Sequence, residues 1–138
     1  MYFCENYLIE MEERQLNYEE WFFQSDYDLE TAQYMLQSGR HVYCIFMCHL
    51  SLEKALKGLF TKRLNKIPPQ IHDLMYFVEK TGISPEDSDR DFLKWLNRKS
   101  ITTRYTEDLK KMISQFSYDY SKNIYKQTKV IQQWIKQQ

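Results

Sequence analysis

The sequence predicts an all-α protein, an up-and-down bundle of about five helices. Three observations lead there. Gly 3 and Pro 3 in 138 residues are too few turn-formers for a sandwich or barrel. Apolar residues recur at helical rather than alternating spacing through the long segments. The connections between those segments are modest, which favours antiparallel neighbours. One hydrophobic core suffices for this length, so residues 17–138 are expected to form a single domain, preceded by an acidic arm over residues 1–16. The composition, 43% hydrophobic and 28% charged, is globular rather than disordered.

The first helix is expected from Asn17 to Ser38. Trp21, Leu29, Ala32, Met35 and Leu36 give its stripe, and Gly39 stands where a left-handed residue ends a helix. The second, His41 to Leu64, is the central one. Ile45, Leu52, Leu56 and Leu59 share one face, which Val42, Cys48, Ala55 and Phe60 widen. So wide an apolar sector needs neighbours on more than one side. Asn65 to Ile71 is a loop, because Pro68-Pro69 removes two amide donors and disfavours helix before it.

A short helix is expected from His72 to about Lys80, ended by Thr81-Gly82. Ser84-Pro85-Glu86-Asp87 reads as a helix start, with a serine cap, a proline in the first position and acids in the first turn. That helix is expected to run to about Arg98. Ser100 to Phe116 is polar, with one short helical turn. The last helix starts near Ser117. Ile124, Val130 or Ile131, Trp134 and Ile135 form its inner face, and Lys122, Lys126, Lys129 and Lys136 its basic side.

The formal net charge is zero, but it is patterned. Residues 1–39 carry −8, 40–72 carry +5, 73–91 carry −4 and 92–138 carry +7. Either the halves neutralise each other across helix contacts, or they leave a basic groove for a phosphate-bearing partner. The longest unbroken apolar run, Val42 to Cys48, is far short of the ~20 residues that span a bilayer, so no membrane association is expected. Three cysteines (Cys4, Cys44, Cys48) are too sparse and odd a set for a disulfide framework and point to a cytoplasmic location.

Few residues combine into recognisable chemistry. Glu53 and Lys57 sit one turn apart in the favourable order, at the edge of the apolar sector, as a semi-buried ion pair would. The other reading is that Lys57, with Lys54 beside it, faces a cleft and meets phosphate. His49 lies within the apolar sector, the place of a hydrogen-bonded core histidine. Cys44, Cys48 and His49 are badly spaced for a metal: His49 points about 100° away from Cys48, and structural zinc needs a fourth ligand. No metal is expected. Asp73 suits a helix cap, whereas His72 beside it has no such local role. Arg104-Tyr105 pairs a planar cation with an aromatic, a combination that suits phosphate gripping and base stacking. Three glycines rule out a glycine-rich phosphate loop, and no cofactor is expected.

The order of these features resembles the HEPN family, the "higher eukaryotes and prokaryotes nucleotide-binding" domains. The residues that carry the resemblance are Trp21, Asp28-Leu29 with Ala32, Gly39, Cys48-His49, Leu52-Glu53-Lys54-Ala55-Leu56-Lys57, Pro68-Pro69, His72-Asp73-Leu74 and Arg104-Tyr105. It covers about Asn17 to the C-terminus. It implies a helical bundle, commonly a homodimer, with a role linked to nucleotides or RNA. It also implies partnership with a small nucleotidyltransferase, in some members as a toxin–antitoxin pair. Many active members are metal-independent ribonucleases with an arginine followed four to six residues later by a histidine. This sequence lacks that motif: His41 adjoins Arg40, His72 lies nine positions after Arg63, and no histidine follows Arg104. The general acid–base of that place is therefore missing. The expected function is a dimeric nucleotide- or RNA-binding module with Lys54, Lys57, His72, Arg104 and Tyr105 as contacts. The alternatives are a divergent ribonuclease using Arg104 with His72 or His49 as its base, and a protein-interaction scaffold.

Overall fold

A computed structural model describes the backbone of residues 17–104 and 109–138, and the side chains of residues 17–100 and 109–138. The expected arm over residues 1–16 and Tyr105 lie outside the described residues. Six helices are present among the described residues: α1 Tyr18–Gln37, α2 His41–Leu64, α3 Leu74–Thr81, α4 Asp87–Arg104, α5 Leu109–Gln115 and α6 Tyr118–Lys136. No strand occurs among the described residues. The protein is all-α.

The helix boundaries follow from local chemistry. Asn17 caps α1, its side chain accepting from the amides of Glu19 and Glu20. Gly39, at φ 79°, turns the chain into α2. Asn65 ends α2 in the left-handed region, a conformation asparagine tolerates. Asp73 caps α3, accepting from the Met75 amide at 3.0 Å, so α3 begins at Leu74 and leaves His72 outside it.

Three expectations are corrected. The Ser84-Pro85 start is displaced, and α4 begins at Asp87 with the Arg90 amide donating to the Glu86 carbonyl. α4 continues six residues beyond Arg98. The polar stretch after it forms a helix of its own, α5, because Met112 and the following Phe116 reach the core. The described residues thus form six helices, in keeping with a bundle of about five. On α6, Ile131 is buried and Val130 is exposed, which resolves the alternative left by periodicity.

α2 runs through the middle and touches α1, α3, α4, α5 and α6. Its Ile45, Leu52, Leu56 and Leu59 are sealed by Phe77 of α3, Leu93 and Leu96 of α4, and Ile131 and Ile135 of α6. α1 approaches α2 closely at Gly58, where an added Cβ would stand 2.7 Å from the Phe22 ring and 3.0 Å from Trp21 Cβ. Ser25 and Ser51 tie the same two helices by donating to each other's carbonyls at 2.6 and 2.8 Å. Gln132 of α6 joins them, donating to Ser25 Oγ and to Asp26. These bonds satisfy polar groups that burial would otherwise penalise, and they fix the register of α1, α2 and α6.

Candidate functional site

The polar cluster that departs most from an ordinary helical core lies where α1, α2 and the loop before α3 meet. Its centre is Glu53, whose residue is 3% exposed. Both carboxylate oxygens are engaged: Oε2 accepts from Lys57 Nζ at 3.2 Å and Oε1 from His72 Nδ1 at 2.8 Å. Lys57 is buried as well, its ammonium 5.8 Å from the centroids of both the Trp21 and Phe77 rings. A carboxylate and two aromatic faces therefore hold this cation in place of water.

His72 is placed differently. The loop turns at Pro68-Pro69, where the Ile71 amide donates to the Pro69 carbonyl, and lays His72 over the end of the Glu53 side chain. Its side chain remains 59% exposed. Because a carboxylate only accepts, Nδ1 carries the proton, and the lone pair of the neutral ring is on Nε2. Beside this, Lys54 Nζ stands 2.8 Å from Asp28 Oδ2 of α1. Burial pushes the Asp28 carboxyl above its usual value, the Lys54 ammonium pulls it back, and the Glu53 charge adds to the rise.

Asn97 of α4 connects this loop to the core. Its Nδ2 donates to Asp73 Oδ1 at 2.6 Å, which orients the amide. Oδ1 then accepts from the Leu74 amide at 3.0 Å and faces His49 Nε2 at 3.1 Å, so that nitrogen is the donor. His49 is a hydrogen-bonded core residue. Cys44 and Cys48 are buried free thiols on the α2 face towards α6. The bond to Cys44, then burial, pushes the Cys48 thiol well up, while that same bond lowers Cys44. Among the described residues, no three His, Cys, Asp or Glu side chains gather as a metal set would.

Of the residues singled out from sequence, the structure brings Lys54, Lys57, Glu53 and His72 together. Both lysines are turned to internal carboxylates, and His72 reaches solvent. Arg104 ends α4 two turns beyond Asn97, and its side chain lies outside those described, as does Tyr105. The patterned charge is partly neutralised inside the chain: Asp28 meets Lys54 and Asp26 meets Lys136, each joining the acidic first helix to a basic segment.

The family model for the HEPN domain matches residues 18–138. The chain belongs to the HEPN family. Its fold is also that of a crystal structure described as an archaeal HEPN homologue, at 20% identity and a TM-score of 0.69, covering 87% of this chain and 95% of that one. No match is found among curated proteins. Among the described residues, no helix is long and apolar enough to cross a membrane.

Sequence reasoning gave two members of this cluster no role in a site: Asp28 entered only through the resemblance, and Asn97 was not singled out. Asp28 shares the buried stripe of Leu29 and Ala32, and an acid on such a stripe signals a buried partner. Asn97 follows Leu93 and Leu96 on the inner face of α4, and its amide serves three groups at once.

Proposed function

We propose that the chain is a nucleotide- or RNA-binding HEPN module, homodimeric and cytoplasmic, acting beside a small nucleotidyltransferase in a toxin–antitoxin-like pair. Residues 1–16 form an acidic extension to its single domain. The observation that carries this reading is the His72 imidazole, held at Nδ1 by a buried carboxylate while its side chain stays more than half exposed. A fixed imidazole is a good hydrogen-bonding partner for a phosphate oxygen once protonated, and Glu53 keeps it oriented without obstructing its outer edge. α4 is docked to this loop through Asn97. It carries the exposed Lys94 and Arg98, and Arg104 ends it. In this reading His72, Arg104 and Tyr105 are the outer contacts. Lys54 and Lys57 set the field behind them and hold the loop's anchor.

The test is the salt dependence of binding to a short RNA. Phosphate neutralisation gives a steep negative slope of log affinity against log salt. His72→Ala is expected to weaken binding several-fold, and Arg104→Ala to weaken it and flatten the slope by about 0.7, the value for one phosphate contact on a single strand. A slope near zero, or no binding at low salt, refutes the reading.

One observation favours a second reading, a divergent metal-independent ribonuclease. A carboxylate–imidazole pair whose imidazole side chain is exposed has the form of a general base. RNA cleavage that survives unchanged in both His72→Ala and Arg104→Ala would remove it.

A further inference from the structure

The outermost ridge of α1 bears no relation to the His72 site. Phe23, Tyr27 and Tyr34 are 66%, 66% and 58% exposed, and Glu30 lies between them on the same ridge. Helical geometry places these four directly opposite the buried Ser25, Leu29, Ala32 and Leu36. Single exposed aromatics are unremarkable, but three on one ridge, interrupted by Glu30, make an aromatic stripe. The steps between the four positions are four, three and four residues, the spacing of a helix–helix seam. That spacing reads the same in both directions.

We infer that this ridge is a homodimer interface in which α1 packs antiparallel against α1 of a second copy across a twofold axis. The inference rests on the homodimer part of the reading above and names its surface. In this pairing Phe23 meets the partner's Tyr34, and Tyr27 meets the partner's Glu30. An isologous contact of this kind is closed, as a dimer requires. The Tyr27 hydroxyl then donates to a carboxylate that in one copy already accepts from Tyr34 at 3.2 Å.

Charge selects the antiparallel direction and a second copy as the occupant. α1 contains five acids and no base. Asp26 and Asp28 are answered within the chain by Lys136 and Lys54. Glu19 and Glu20 remain at one end of the ridge, and the exposed Arg40 stands just past the other end. A parallel pairing would set the acid ends together. The antiparallel one places each Arg40 at the partner's Glu19 and Glu20, twice over. Area is consistent as well. Aromatic side chains bury about 150–250 Å2 each, so at these exposures three per copy contribute on the order of 700 Å2 in total. A standard interface needs about 1,600 Å2, so the ridge is a core that its polar flanks complete.

The experiment is sedimentation velocity on the full chain at micromolar concentration, with circular dichroism as a check on folding. The wild type is expected to be a dimer, and Phe23→Asp/Tyr27→Asp a folded monomer. Glu19→Arg/Glu20→Arg and Arg40→Glu are each expected to weaken the dimer about tenfold, and an equimolar mixture of the two to restore it. A wild type that remains monomeric overturns the proposal together with the homodimer reading, and leaves residues 1–16 or another protein as the ridge's occupant. A wild-type dimer that survives Phe23→Asp/Tyr27→Asp, or a charge-swapped mixture that fails to recover, overturns the surface alone.

Discussion

Replacing Glu53 by alanine should be among the most damaging single changes available in this protein. The carboxylate sits 3.2 Å from Lys57 Nζ. At an effective dielectric of about 20 that contact is worth roughly 5 kcal/mol of Coulomb attraction. In the wild type this attraction offsets the desolvation of both charges. Alanine removes it but leaves the Lys57 ammonium between Trp21 and Phe77, without water or a counter-charge. Breaking a buried pair from one side costs about 3–5 kcal/mol. For a domain of this size that corresponds to a fall in Tm of roughly 10–20 °C. Urea and thermal unfolding followed by circular dichroism read it directly. The paired replacement Glu53→Leu/Lys57→Met is the control. It removes both charges with little change in volume, and it should be near wild type or more stable. If Glu53→Ala costs less than about 1 kcal/mol, the ammonium regains water and the pair is not sealed as described.

Gly58→Ala gains about 1 kcal/mol of helix propensity but drives a methyl into Phe22, so it should destabilise the fold by a net 1–2 kcal/mol or so in urea unfolding. Asn97→Ala leaves Asp73, the Leu74 amide and His49 without their shared partner, and should cost about 2–3 kcal/mol while loosening amide protection in the loop before α3. Asp28 gives a pH signature of definite sign. Its folded carboxyl titrates above the 3.8 of the unfolded chain, so the folded state holds the extra proton. The stability it contributes is present below that value and is lost as pH rises through the higher folded value. The wild type should therefore gain on Asp28→Asn as pH falls from 6 towards 3, as measured by urea unfolding at each pH.

The bundle was legible because its strongest signals are local. The 24 residues of α2 carry an apolar sector too wide for a surface helix, and Gly39 and Asn65 bracket them. Asn17, Asp73 and Ser117 all cap helices, as short polar side chains before apolar runs do. α5 was not legible, since Met112 and Phe116 give one apolar contact per turn and Leu109 and Ile113 face outward. Nor was the start of α4, where Ser84-Pro85 has the composition of a cap and the chain turns two residues later. Within the site, the i,i+4 spacing of Glu53 and Lys57 could be read directly. The pairing of Lys54 with Asp28, and of His72 with Glu53, joins residues 26 and 19 positions apart, and periodicity does not reach across such distances. The same tertiary contacts redirect the lysines. Both were candidates for a ligand's phosphate, and both face internal carboxylates.

The central claim is that His72 and the helix docked beside it form an anion-recognising edge. The most direct test is a heteronuclear NMR titration of the labelled protein, first with ATP and then with a short RNA. The account predicts saturable shifts at His72, including its imidazole nitrogens, extending along α4 towards Arg104, with Lys57 little moved in its aromatic enclosure. An absence of shifts at millimolar ligand, or shifts centred on a different face of the bundle, would contradict it.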